Sequence, residues 1–169
     1  MKVICPLFIF IFSFASCTRT IYVVRHAEKM NASDTMSKMM ATDPPLSEAG
    51  KVRAIVLKEE LHNKHIRHIY STKTIRTKST AEPLSQAIKV TVELYDNVDS
   101  VVRTIKSIKG NVLIVGHSNT VDDIVNKLCG EKKIAADLTD SEYDNLFVIK
   151  YRGKKIRFTQ HKYGYPSNP

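Results

Sequence analysis

Two stretches of the chain, Ile21-Tyr22-Val23-Val24 and Val112-Leu113-Ile114-Val115, are apolar at every position and rich in β-branched residues. A strand with one wet face alternates apolar and polar side chains. A strand apolar on both faces belongs inside a sheet that is covered from both sides. Shorter strand patterns occupy residues 66–70 and 89–94, and helical patterns fill 46–61, 74–88, 98–108 and 121–128. Strands alternating with helices imply an α/β three-layer sandwich, with a mainly parallel central sheet flanked by helices. Residues 146–151 and 155–159 read as two strands turning at Arg152-Gly153-Lys154, a C-terminal β-hairpin.

Local signals sharpen these elements. Ser47 is placed to cap the first helix, whose inward stripe is expected at Val52, Ile55, Val56 and Leu61. Pro83 is expected to kink or restart the second helix. Residues 30–45 have no period, end in Pro44-Pro45, and read as a loop bordering the site. The tail to Pro169 reads as irregular.

At 169 residues the chain suits one domain. It opens with Lys2, an apolar run from Val3 to Phe14, and small residues, which is the pattern of an export signal. The run is shorter than the roughly 20 apolar residues that span a bilayer. Phe14-Ala15-Ser16-Cys17 resembles a bacterial lipoprotein cleavage box, which implies a signal peptide over 1–16, lipidation of Cys17 and a single domain over 18–169. The expected product is an exported, membrane-anchored lipoprotein. Cys5 would then leave and Cys17 carry lipid, so Cys129 stands alone as a packed helix-end residue.

Two of the strands end in a histidine, as Val24-Arg25-His26 and Val115-Gly116-His117, and a third ends in Ser71-Thr72 shortly before Arg76. In a parallel sheet these ends share one edge, which is where ligands of open α/β sheets bind. Arg25, His26, Arg76 and His117 can therefore converge. Ser118 is expected to cap the following helix, whose positive end favours an anion. Such a cationic cluster is costly when bare and complementary around a phosphoryl group. Guanidinium groups grip phosphate through paired hydrogen bonds, and an imidazole can act as a covalent nucleophile. The formal charge of +9 also favours anionic ligands.

Taken in order, these elements resemble the histidine phosphatase superfamily, also called phosphoglycerate mutase-like. Arg25-His26-Ala27 is similar to its Arg-His-Gly signature, and Leu46-Ser47-Glu48-Ala49-Gly50 to its Leu-Thr/Ser-x-x-Gly element. Ser71-Thr72 with Arg76, Thr80 and Ala81 resembles its arginine-bearing helix start, with Ser79 in place of glutamine. Gly116-His117-Ser118-Asn119 resembles its Gly-His element. The resemblance implies a phosphoric monoester hydrolase in which His26 becomes phosphohistidine, while Arg25, Arg76, His117 and Ser118 hold the phosphoryl oxygens. A backbone carbonyl should fix the tautomer of His26. The family often supplies an acidic proton donor, and Asp96 is the first choice here, Glu28 the second.

The implied substrate is a phosphorylated small molecule or a phosphoprotein, with no cofactor and no metal. His62, His65 and His68 straddle a helix end and a strand, a spacing that need not converge. No arginine-rich arm, zinc-finger spacing or aromatic pair among basic residues points to nucleic acid. A phosphomutase and a non-catalytic anion-binding lipoprotein are the competing readings.

Overall fold

The computed structural model describes residues 18–31, 40 and 42–167. The proposed signal peptide, Cys17 and most of the loop after Met30 lie outside the described residues. Within them are β1 (Thr18–Arg25), α1 (Glu48–Leu61), β2 (Ile66–Ser71), α2 (Ile75–Ile88) and β3 (Val92–Leu94). There follow α3 (Val98–Ser107), β4 (Asn111–Gly116), α4 (Val121–Cys129), β5 (Asn145–Arg152) and β6 (Lys155–Lys162). One six-stranded mixed sheet has the order β3-β2-β4-β1-β5-β6. The pairs β1–β4, β4–β2 and β2–β3 are parallel, and β5 and β6 join as antiparallel neighbours.

The two all-apolar stretches are the two central strands, and both faces of each are buried. Ile21 and Val23 of β1, with Val112 and Ile114 of β4, pack under Val101, Val102 and Ile105 of α3 and Ile124, Val125 and Leu128 of α4. Tyr22, Val24, Leu113 and Val115 turn the other way, onto Leu57 and Leu61 of α1 and Ala81 and Leu84 of α2. Each such aliphatic side chain, fully withdrawn from water, contributes roughly 1.5–3 kcal/mol. Among the described residues, the six strands and four helices pack around one sheet through the two large core clusters.

α1 departs from the expected stripe. Val52 and Ile55 are 46% and 49% exposed, whereas Gly50, Arg53, Ala54, Leu57 and Leu61 face inward. Two contacts turn the helix this way. Gly50 lies against the carbonyl of Glu28 so closely that a Cβ there would collide with it. Arg53 is buried because Glu28 accepts from its Nε and Nη2 (2.9 and 2.6 Å) and the carbonyls of Tyr163 and Tyr165 accept from its Nη groups (2.9 and 3.0 Å). A periodicity count cannot see a buried guanidinium that has its acceptors. The same bonds tie down the tail expected to be irregular: β6 runs to Lys162, and Tyr163 is 3% exposed.

Ser47 caps α1, accepting from the amide of Gly50 at 3.1 Å. α2 runs as one helix through Pro83 and is not restarted there. The hairpin turns at Gly153, which has φ +58°, a conformation glycine adopts without a Cβ penalty. Cys129 ends α4, buried, with Gly130 left-handed behind it.

Candidate active site

β1, β2 and β4 end together, with Arg25 opposite Gly116 and Ser71 opposite Val115. The ladder extends one residue further, because the His26 amide donates to the Gly116 carbonyl at 2.9 Å. This fixes His26 at the sheet edge, 4% exposed, and Arg25 beside it, 2% exposed. The Ala27 amide donates to Thr80 Oγ1 at 2.9 Å, so α2 pins the backbone directly after His26.

The Nδ1 of His26 lies 2.8 Å from the Ala27 carbonyl, which can only accept. The proton is therefore on Nδ1, and the lone pair is on Nε2. Burial pushes the His26 pKa down to about 3, helped by the charges of Arg25 and Arg76. The ring of His117 stands edge-on, 5.4 Å away centroid to centroid. Its Nε2 is 2.9 Å from Thr72 Oγ1, and its Nδ1 is 3.5 Å from Nη2 of Arg76. A guanidinium only donates, so Nδ1 is the acceptor and Nε2 carries hydrogen toward Thr72. Burial and then Arg76 and Arg25 lower the His117 pKa to about 4. Both imidazoles are neutral at pH 7.

The two arginines are held from behind. Arg76 donates from Nη1 to Asp43 Oδ1 at 3.0 Å, and the other oxygen of Asp43 accepts the Ile75 amide at 2.8 Å. Arg25 donates to the Thr139 carbonyl at 2.6 Å and to Asp140 at 3.4 Å. Its guanidinium also stacks over the Tyr143 ring, 4.1 Å from the centroid. The Nε of each arginine is buried with no acceptor among the described residues. A buried donor without a partner costs about 1–3 kcal/mol, and both donors belong to arginines that line one cavity.

A cavity of about 520 Å³ is lined by Arg25, His26, Lys29, Arg76, His117, Ser118, Asn119 and Asp140. The fold thus brings together five of the residues singled out in the sequence: Arg25, His26, Arg76, His117 and Ser118. Ser118 lies in the cavity wall but does not cap α4; Thr120 occupies the cap position, with its hydroxyl turned back to the amide of His117 at 3.0 Å. Asp96 is exposed in the turn before α3 and is not part of the lining. Glu28 is engaged by Arg53 and lines a second groove instead, of about 850 Å³. The histidines of the 62–68 segment face different partners, His62 the Glu59 carbonyl and His68 the Lys109 carbonyl.

Sequence reasoning missed Asp43, Tyr143 and Asp140. Asp43 sits in the aperiodic loop, and the other two in the irregular stretch between α4 and β5. No spacing marks them, because each reaches the site from a segment without a period.

Comparison with known proteins adds an independent finding. The sequence model of the histidine phosphatase superfamily (branch 1) matches residues 21–100. No curated protein is matched by sequence. Among solved structures, the protein histidine phosphatase SixA complexed with tungstate aligns with TM-score 0.65 at 16% identity, covering 85% of this chain and 96% of that one. The SixA of Agrobacterium tumefaciens, assigned as a phosphohistidine phosphatase, gives 0.59 at 18% identity, with 87% and 98% covered. The ecdysone phosphate phosphatase of Bombix mori, also with tungstate, gives 0.63 at 15% identity, with 89% and 94% covered. Residues 21–100 thus match the histidine phosphatase superfamily, and the described chain has the histidine phosphatase fold.

Proposed function

We infer that the protein is a phosphatase that hydrolyses a phosphomonoester through a phosphohistidine on His26. The observation that carries this reading is the state of His26. It is a buried, neutral imidazole whose Nδ1 hydrogen is held by the Ala27 carbonyl, and it shares one cavity with Arg25, Arg76 and His117. Two of the similar structures hold tungstate, a tetrahedral oxyanion like phosphate.

In the proposed first step the Nε2 lone pair forms a bond to phosphorus while the bond to the leaving oxygen breaks. Arg25, Arg76 and Ser118, with His117 once its Nε2 hydrogen turns from Thr72 to the substrate, hold the three equatorial oxygens, whose charge such donors stabilise in a loose transition state. Water then attacks phosphorus, releases inorganic phosphate and returns His26 to its neutral form. The leaving oxygen needs a proton. Asp96 is the donor proposed from sequence, and Asp140 is the carboxylate that lines the cavity among the described residues. The leader and Cys17 support export and lipid anchoring as part of the same proposal.

The test is hydrolysis of a nitrophenyl phosphate in chelator by residues 18–169, beside His26→Ala. Turnover by the parent and at least about 10⁴-fold less in the variant is expected for loss of a nucleophile. Equal turnover by both would overturn the assignment. Inactivity of both, with phosphate-dependent thermal stabilisation retained, would favour a non-catalytic anion binder.

A further inference from the structure

Much of the chain's net charge of +9 comes from exposed residues outside the candidate active site. α1, α3 and α4 open on acidic residues, Glu48, Asp99 and the Asp122-Asp123 pair, and each carries a lysine in its last turn, Lys58, Lys106 and Lys127. That order complements the helix dipole. All three helices start at the edge that carries His26 and finish at the opposite edge, where β1, β2 and β4 begin. Acidic side chains therefore open these helices at the site end; of the three lysines, Lys127 is paired with Asp99 at 2.6 Å and Lys58 with Glu59 at 2.6 Å, so the basic excess of the far end rests on other residues.

The far end bears further bases that helix dipoles do not call for. Lys64 precedes β2, Lys109 precedes β4, and Arg152, Lys154 and Lys155 form the β5–β6 turn, all of them exposed. Strand register brings that turn to the start of the chain's fold, because Thr18 pairs with Arg152. The acids at this end are Glu59 and Glu60 closing α1 and Glu131 after α4. Of these, Glu59 is bonded to Lys58 at 2.6 Å and Glu131 to Lys133 at 2.8 Å. The residue joined to Thr18 is Cys17, and the apolar run precedes it. In the sequence, the apolar run and Cys17 thus lead directly into Thr18, which lies at this basic end.

We propose that this face rests on an anionic membrane surface, with the Lys109, Arg152, Lys154 and Lys155 side chains against lipid phosphate groups. Lysines near such a surface each add to binding, and their contribution fades with salt. The geometry then holds the His26 edge on the side of the domain away from the bilayer, facing substrate. The inference stands on charge placement and chain entry and does not depend on the chemistry of His26.

The test uses residues 18–169, which lack both the leader and Cys17, in sedimentation with vesicles of phosphatidylcholine alone or mixed with phosphatidylglycerol. Binding to the mixed vesicles only, reversed by 0.5 M salt, is expected. Lys154→Glu/Lys155→Glu should bind at least about thirtyfold more weakly, since loss of the two positive charges alone gives that factor. Lys51→Glu/Lys78→Glu makes the same net change at the site end and should bind within about twofold of the parent; both pairs should keep the parent's unfolding temperature. Equal weakening by the two pairs would reduce the effect to net charge and overturn the proposal. Absence of binding to the mixed vesicles, equal binding to phosphatidylcholine alone, or tighter binding to a DNA duplex at the same salt would also overturn it.

Discussion

The two edges of the sheet are both basic, but their cations are of different physical kinds. At the site edge the arginines are withdrawn from water and braced by Asp43, Thr139 and Tyr143, so their direction is fixed. At the far edge the lysines are exposed on turns and loop ends, so they supply a screened, adaptable field. The first arrangement suits one small anion in one orientation. The second suits an extended surface of anions. A net charge read from composition belongs mostly to the second, and says little about the first.

The largest test of this contrast removes one braced cation. Arg76→Ala should lower kcat/KM for an aryl phosphate about 10³-fold, while Lys154→Glu/Lys155→Glu leaves it unchanged. A comparable loss in both would mean that long-range steering, not local geometry, carries the anion. Backbone crowding offers the next contrast. Gly50→Ala at the site edge should cost about 3 kcal/mol in urea unfolding, because the Cβ meets the Glu28 carbonyl. Gly153→Ala, in the open far turn, should cost about 1 kcal/mol from its left-handed φ alone.

The proton donor is tested by leaving group. Asp140→Asn should slow an alkyl phosphomonoester about tenfold or more and a nitrophenyl ester hardly at all, since nitrophenolate leaves without a proton. If Asp96→Asn behaves this way instead, the donor is Asp96. The smallest effect is in pH. His26 and His117 have folded pKa values lowered to about 3 and about 4, below the unfolded value of 6.5. The unfolded chain therefore binds more protons in this window, and stability should fall as pH drops below 6.5, by at most about 1.4 kcal/mol per unit per histidine. Urea midpoints at pH 7, 6 and 5 would show the slope. His26→Gln should remove part of it, whereas substitution of the exposed His161 should not.

Much of the architecture was legible because it rests on patterns that neighbouring residues share. The all-apolar strands, the Ser47 cap and the Gly153 turn each follow from local chemistry. The failures share a different cause. Val52 and Ile55 looked inward by period, but Arg53 took the buried face because Glu28 and the tail carbonyls could satisfy it. Glu28 looked free for proton transfer until that same guanidinium claimed it. Ser118 was a plausible cap, yet Thr120 holds the cap position.

The sequence by itself determined the layers of this protein, the edge at which its strands end, and the presence of two histidines and two arginines there. Periodicity and strand termini are properties of short segments, so they can be read without knowing what lies opposite. Tertiary structure alone decided which carboxylates face those arginines, which helix face is buried, and where the basic excess collects. Those outcomes depend on groups far apart in the chain, such as Arg25 with Thr139 or Thr18 with Arg152, and only the fold sets their distance.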